Sequence, residues 1–180
     1  MVVLSSSSDD DKIAWYENDG SESFTEHVIS TSADGAYDVH AADVDADGDL
    51  DVLSASYYDD KIAWYENDGS ESFTEHAIST SADGARSVHA ADVDGDGDMD
   101  VLSSSSDDDK IAWYENDGSE SFTEHVISTS ADLAYDVHAT DVDGAGDLDV
   151  LSASTNAEKT PRQGDNGGGN LQHDVIPPTT

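Results

Sequence analysis

The chain has 180 residues, with 42 acidic side chains against 6 basic ones and a formal charge of −36. Its length is enough for an ordinary single core, while its charge makes nucleic-acid backbones and anionic membrane surfaces unfavourable partners. Cysteine is absent, so disulfides contribute nothing, and no stretch approaches the roughly 18 apolar residues of a membrane-spanning helix.

The opening MVVLSSSSDD has too short an apolar run, and no basic leader, to act as a signal peptide. Val2-Val3-Leu4 reads instead as the second strand of a repeat unit. The string KIAWYENDGSESFTEH begins at Lys12, Lys61 and Lys110, a spacing of 49 residues. Self-similarity at about 40 to 50 residues indicates a propeller or solenoid, whose units bury their apolar faces against one another.

Within the unit at 35–83, four extended runs are expected, around Asp38–Ala42, Asp51–Ser56, Lys61–Glu66 and Phe73–Ser79. They are rich in β-branched and aromatic residues and are separated by turn clusters such as Asn67-Asp68-Gly69-Ser70, where Asp-Gly favours a tight hairpin. Ile62-Ala63-Trp64-Tyr65 places apolar groups on both sides of its strand, as a small sheet sandwiched between two others requires. No run keeps the three-and-four apolar spacing of a helix for more than a turn.

The expected fold is all-β: a β-propeller, or a propeller segment, of four-stranded antiparallel blades. It divides into a partial blade at 1–34, blades at 35–83 and 84–132, and the start of a further blade at 133–155. Residues 156–180 read either as a degenerate blade remainder or as a flexible tail. A 49-residue shift sets Lys159 on Lys110, Gly167 on Gly118 and Val175-Ile176 on Val126-Ile127, whereas Pro161 and the Gly167–Gly169 run oppose a strand.

Between the first and second strands of each unit stands an aspartate-rich loop. Asp43, Asp45, Asp47, Asp49 and Asp51 form the first, and Asp92, Asp94, Asp96, Asp98 and Asp100 the second. Carboxylates at loop positions 1, 3 and 5 converge on one point, a carbonyl at position 7 joins them, and a carboxylate at 9 closes the shell. Calcium, a hard cation taking 6 to 8 oxygens, suits that set. Glycine at position 6, Gly48 or Gly97, permits the positive φ of the turn. The third loop keeps Asp141, Asp143, Asp147 and Asp149 but has Ala145 at position 5, so its site is expected to be weaker or its ion more hydrated. An EF-hand is excluded, because position 12 holds Ser54 or Ser103 in place of glutamate and the flanks are strands. So many like charges within nine residues argue for a counterion rather than a solvated surface.

Strand, aspartate loop and three further strands in this order resemble the FG-GAP/VCBS repeats of calcium-binding propellers, over residues 1 to about 155. The resemblance rests on DVDADGDLD and DVDGDGDMD, each followed by Val-Leu-Ser. It implies calcium at Asp43, Asp45, Asp47, Asp51, the Asp49 carbonyl and their equivalents. The family's Phe-Gly and Gly-Ala-Pro signatures are not recognisable.

The functional expectation is a non-catalytic, extracellular binding or adhesion scaffold with a glycan or extracellular protein as partner. The alternatives are an accessory module of a secreted polysaccharide-acting enzyme and a purely structural, salt-adapted repeat. The ring is expected to be part of a larger one, a compact four-bladed form, or a half completed by a second copy.

His27, His76 and His125, and also His40, His89 and His138, follow the period, which favours structural or channel-lining roles over a catalytic or zinc site. Trp15-Tyr16, Trp64-Tyr65 and Trp113-Tyr114 are expected in blade cores. No Gly-x-Ser-x-Gly or phosphate-binding glycine loop is present.

Overall fold

A computed structural model describes residues 3–155 and 171–176. The first sheet contains β1 (Val3–Ser7), β2 (Lys12–Asn18) and β3 (Phe24–Ser30), and the second β4 (Ala36–Ala42), β5 (Asp51–Ser56), β6 (Lys61–Asn67) and β7 (Phe73–Ser79). The third contains β8 (Ala85–Ala91), β9 (Asp100–Ser105), β10 (Lys110–Asn116) and β11 (Phe122–Ser128), and the fourth β12 (Ala134–Thr140), β13 (Asp149–Thr155) and β14 (Leu171–Ile176). Every strand pairs antiparallel with its neighbour in sequence, so each sheet is a meander. No helix occurs among the described residues.

These sheets are the blades of a β-propeller segment, and the core lies between them. Alternation along each strand sends neighbouring side chains to opposite faces. Val52, Ala63 and Tyr65 therefore join Ile13, Ala33 and Ala36 in the seam between the first and second blades. Leu53, Ile62 and Trp64 join Val101, Ala112 and Tyr114 in the next seam. Leu102 and Ile111 meet Ala134, Val137 and Val150 in the last. Full burial of a side chain of this size contributes about 1.5–3 kcal/mol, so Trp64, Tyr65 and Tyr114, each 1% exposed, make the seams the main apolar store.

The innermost strands β4, β8 and β12 lie side by side, with β1 against β4. Each of the three carries a bulge. In β4 the pairing steps from Ala36 to Asp38, in β8 from Ala85 to Ser87, and in β12 from Ala134 to Asp136. Tyr37, Arg86 and Tyr135 are the extra residues.

β14 stands third in its sheet, with Ile176 opposite Val150 and Val175 opposite Leu151. That is the place of β6 and β10 in their blades, whereas the 49-residue alignment sets Val175-Ile176 on the fourth-strand pair Val126-Ile127. Residues 156–170 and 177–180, on which the rest of the tail expectation falls, lie outside the described residues.

Candidate metal centre

Each aspartate loop joins the innermost strand of a blade to the second strand, and its shape is held by its own carboxylates. In the first loop Asp45 Oδ1 accepts from Asp47 N (3.1 Å), Asp43 Oδ2 from Gly48 N (3.1 Å) and Asp47 Oδ1 from Asp49 N (2.8 Å). The second and third loops repeat the position-1 bond, from Gly97 N to Asp92 and from Gly146 N to Asp141, both 3.1 Å. Gly48, Gly97 and Gly146 have φ of 97°, 102° and 101°, which a side chain would oppose. Position 4 is also left-handed, at Gly95, Gly144 and, unforeseen from the sequence, Ala46, whose φ is 61°.

This shape brings three carboxylates together in every loop. Asp43, Asp45 and Asp51 converge in the first, Asp92, Asp94 and Asp96 in the second, and Asp141, Asp143 and Asp149 in the third, each set with one oxygen per residue within 4.8 Å of the others. The third loop therefore forms a cluster despite Ala145, with Asp149 as its third member. Asp47, Asp49, Asp98, Asp100 and Asp147 stand outside these converging sets. The Asp49 carboxylate lies instead against Gly69, and that of Asp98 against Gly118, so the side chain at position 7 turns toward the neighbouring hairpin.

The aspartate at position 9 has a second task. Asp51 is fully buried and accepts from Val44 N (2.9 Å) and Asn67 N (2.8 Å), which ties the loop to the β6–β7 turn. Asp100 does the same with Val93 N (2.9 Å) and Asn116 N (2.8 Å). The Asn116 side-chain amide also donates to Met99 O and to Val44 O, both 3.2 Å, joining two successive loops.

Burial pushes the carboxyls of Asp51 and Asp100 up, against the lowering effect of these N–H donors. Burial likewise raises Asp45 and Asp94, reinforced by the carboxylates of the same loop. Ionised aspartates in these positions are held at a cost that a cation removes. Asp43 Oδ1 is buried without a hydrogen-bond partner, and a lone carboxylate oxygen among converging carboxylates is the donor set a hard cation takes. The three clusters fit a metal ion.

The FG-GAP-like repeat pattern matches residues 1–54, 43–103 and 94–152. The chain belongs to the FG-GAP-like repeat family. Among solved structures, the FG-GAP-like chain is similar to a lectin of Agrocybe aegerita that recognises non-reducing terminal N-acetylglucosamine. Identity is 16% and the TM-score 0.53, with 97% of this chain and 52% of the lectin chain covered. That likeness concerns the fold, and the FG-GAP-like chain spans about half the lectin's length. No curated protein sequence matches it.

The other sequence-selected residues of the FG-GAP-like blades fall into structural places. His27, His76 and His125 stack on Trp15, Trp64 and Trp113 at 4.2, 4.7 and 4.6 Å and contact Glu17, Glu66 and Glu115. His40, His89 and His138 line up across the innermost strands, with ring centroids 4.8 and 4.2 Å apart. In the acidic turns, Asp59 and Asp108 pair with Lys61 and Lys110, while Asp60 and Asp109 accept from Gly84 N and Leu133 N. Those aspartates hold the next blade in place.

Proposed function

We propose that this FG-GAP-like chain is a non-catalytic, calcium-cemented binding scaffold acting outside the cell, with a carbohydrate as its ligand. The observation that carries the calcium assignment is the convergence of three carboxylates in each of three loops, with Asp43 Oδ1 buried and unpartnered. Oxygen-only donors select calcium over softer transition metals. The residues that would hold it are Asp43, Asp45, Asp47 and Asp51 with the Asp49 carbonyl, their equivalents from Asp92 to Asp100, and Asp141, Asp143, Asp147 and Asp149. Bound calcium supplies countercharge to a chain of −36 and fixes the loops between blades.

Support for carbohydrate comes from the fold shared with a glycan-recognising lectin. Support for a scaffold rather than an enzyme comes from the near-identity of the units, since a catalytic centre needs asymmetry among its groups. The test is thermal melting with calcium, with chelator, and with sodium or potassium in excess, coupled to calcium counting and a glycan survey. Calcium-specific stabilisation with two or three ions bound is expected. Equal stabilisation by monovalent salt would return the loops to a salt-adapted surface.

A further inference from the structure

The units beginning at Gly35 and Gly84 differ at only eight of 49 positions, and four of these meet in space: Tyr37/Arg86, Asp38/Ser87, Tyr57/Ser106 and Tyr58/Asp107. They lie at the end of the strands opposite the aspartate loops, where β8 meets the β5–β6 turn. Arg86 is the bulged residue of β8, and a bulge re-aims its side chain. Its guanidinium sits over the rings of Tyr37, Tyr57 and Tyr135 at 4.5, 4.6 and 5.4 Å, and its Nε donates to Ser106 Oγ at 3.2 Å. Tyr57 in turn donates its hydroxyl to Asp107, 3.0 Å from Oδ2.

The unit with Arg86 is also the one with Ser87. Its hydroxyl lies 2.9 Å from Asp38 and 3.0 Å from Asp136, the two equivalents of its own position. An aspartate there would put three carboxylates in contact, so the substitution preserves the neighbourhood while breaking the repeat.

The cluster is open to solvent: Tyr37, Tyr58 and Tyr135 are 42%, 67% and 54% exposed. In a strongly acidic chain, Arg86 is also the only described lysine or arginine without a carboxylate partner. Lys12, Lys61 and Lys110 each contact two. The neighbouring acids are engaged elsewhere, Asp107 by Tyr57, Asp108 by Lys110 and Asp109 by Leu133 N. A six-residue strand spans about 20 Å, beyond the screening length of about 8 Å at physiological salt, so the aspartate loops weigh little at this end. The two terminal guanidinium nitrogens of the half-buried Arg86 therefore lie beside exposed tyrosine rings without an acceptor among the described residues.

We propose that this cluster is a binding site for a sugar unit bearing a carboxylate, with the pyranose ring against the exposed tyrosines and the carboxylate on the Arg86 fork. The site rests on the carbohydrate reading above and names the ligand class within it. The test titrates the full calcium-loaded chain with methyl glucuronide and methyl glucoside, followed by ligand-detected magnetic resonance and tyrosine shifts. The uronide is expected to bind at least about tenfold more tightly. Arg86→Tyr, which restores the residue of the flanking units, should abolish that preference in a chain that is still folded and calcium-loaded, and Arg86→Lys should lower uronide affinity about fivefold or more, because an ammonium lacks the planar fork. Tyr135→Ala should weaken both ligands. Equal affinity for the two sugars, or uronide binding that survives Arg86→Tyr, overturns the site. A glycan survey showing binding that is indifferent to Arg86 would then leave the broader carbohydrate reading standing, whereas an empty survey would remove both.

Discussion

Replacing Asp100 by alanine separates the two tasks of the aspartate loop. Asp100 is fully buried, and its oxygens accept from Asn116 N and Val93 N at 2.8 and 2.9 Å. Truncation strands both N–H groups, at about 1–3 kcal/mol each. Part of that loss is offset, because burial raises the Asp100 carboxyl and its removal ends the cost of a buried charge. A net destabilisation of about 2–4 kcal/mol remains, which for a chain of this size lowers the melting temperature by about 5–15 °C. The loss should persist in chelator, since the bonds at stake are to the protein's own backbone. Asp96→Ala is the matched control. It removes an exposed member of the second cluster and gives up only the exposed bond from Asp98 N, so in chelator its melting should stay within about 1 kcal/mol of the parent, while its calcium stoichiometry or affinity falls. Melting and urea midpoints of both variants, with and without chelator, check this. An Asp100→Ala chain that melts with the parent in chelator would refute the clamp.

Other perturbations follow from the same geometry. Ala46→Gly should stabilise the first loop by about 0.5–1 kcal/mol, because Ala46 holds a φ of 61° where the other loops place glycine; urea midpoints read it. Gly69→Ala should cost more than Gly20→Ala. Both have positive φ, but only at Gly69 would the added carbon fall 2.5 Å from Asp49 Oδ2, and the difference in melting between the two variants isolates that contact. Tyr114→Ala, which empties a seam at a side chain 1% exposed, should cost about 3–5 kcal/mol by chemical denaturation.

The histidine row sets a pH dependence. Burial, then the neighbouring His40 and His138, pushes His89 down from 6.5 to about 4. Between those values the unfolded chain holds a proton that the folded chain lacks, so stability present above pH 6.5 is lost as pH falls toward 4. Solvent exposure within the row reduces its share to about 1–2 kcal/mol. His89→Gln should flatten that part of the profile.

The propeller blades and the loops were legible because the 49-residue period places each strand and each aspartate-rich loop at least three times over, the third loop with Ala145 in place of one aspartate, which fixes register without any knowledge of contacts. The aspartate at position 9 was foreseen as a ligand but not as a clamp, since its N–H donors at Asn67 and Asn116 lie 16 residues away across a strand pair. Ala46 gave no sign, because alanine carries no signature of a left-handed turn. The acidic turns at Asp59-Asp60 and Asp107–Asp109 had no evident task until the next blade supplied Gly84 N and Leu133 N as donors. Arg86 was passed over for a different reason. Attention to what recurs hides what does not, and its partners Tyr37 and Tyr135 stand one period before and after it.

The amide of Asn116 gives the second and third blades a property of their own. At one end of their seam it reaches Val44 O, and at the other Arg86 meets the rings of Tyr37 and Tyr57 while Tyr57 bonds to Asp107. Among the described residues, the flanking seams have no such pair of rivets. Opening the chain should therefore proceed inward from its outer blades, with the amides of β5, β6, β9 and β10 exchanging last with deuterium. The molecule behaves as a two-blade keystone with looser neighbours, rather than as four equal parts.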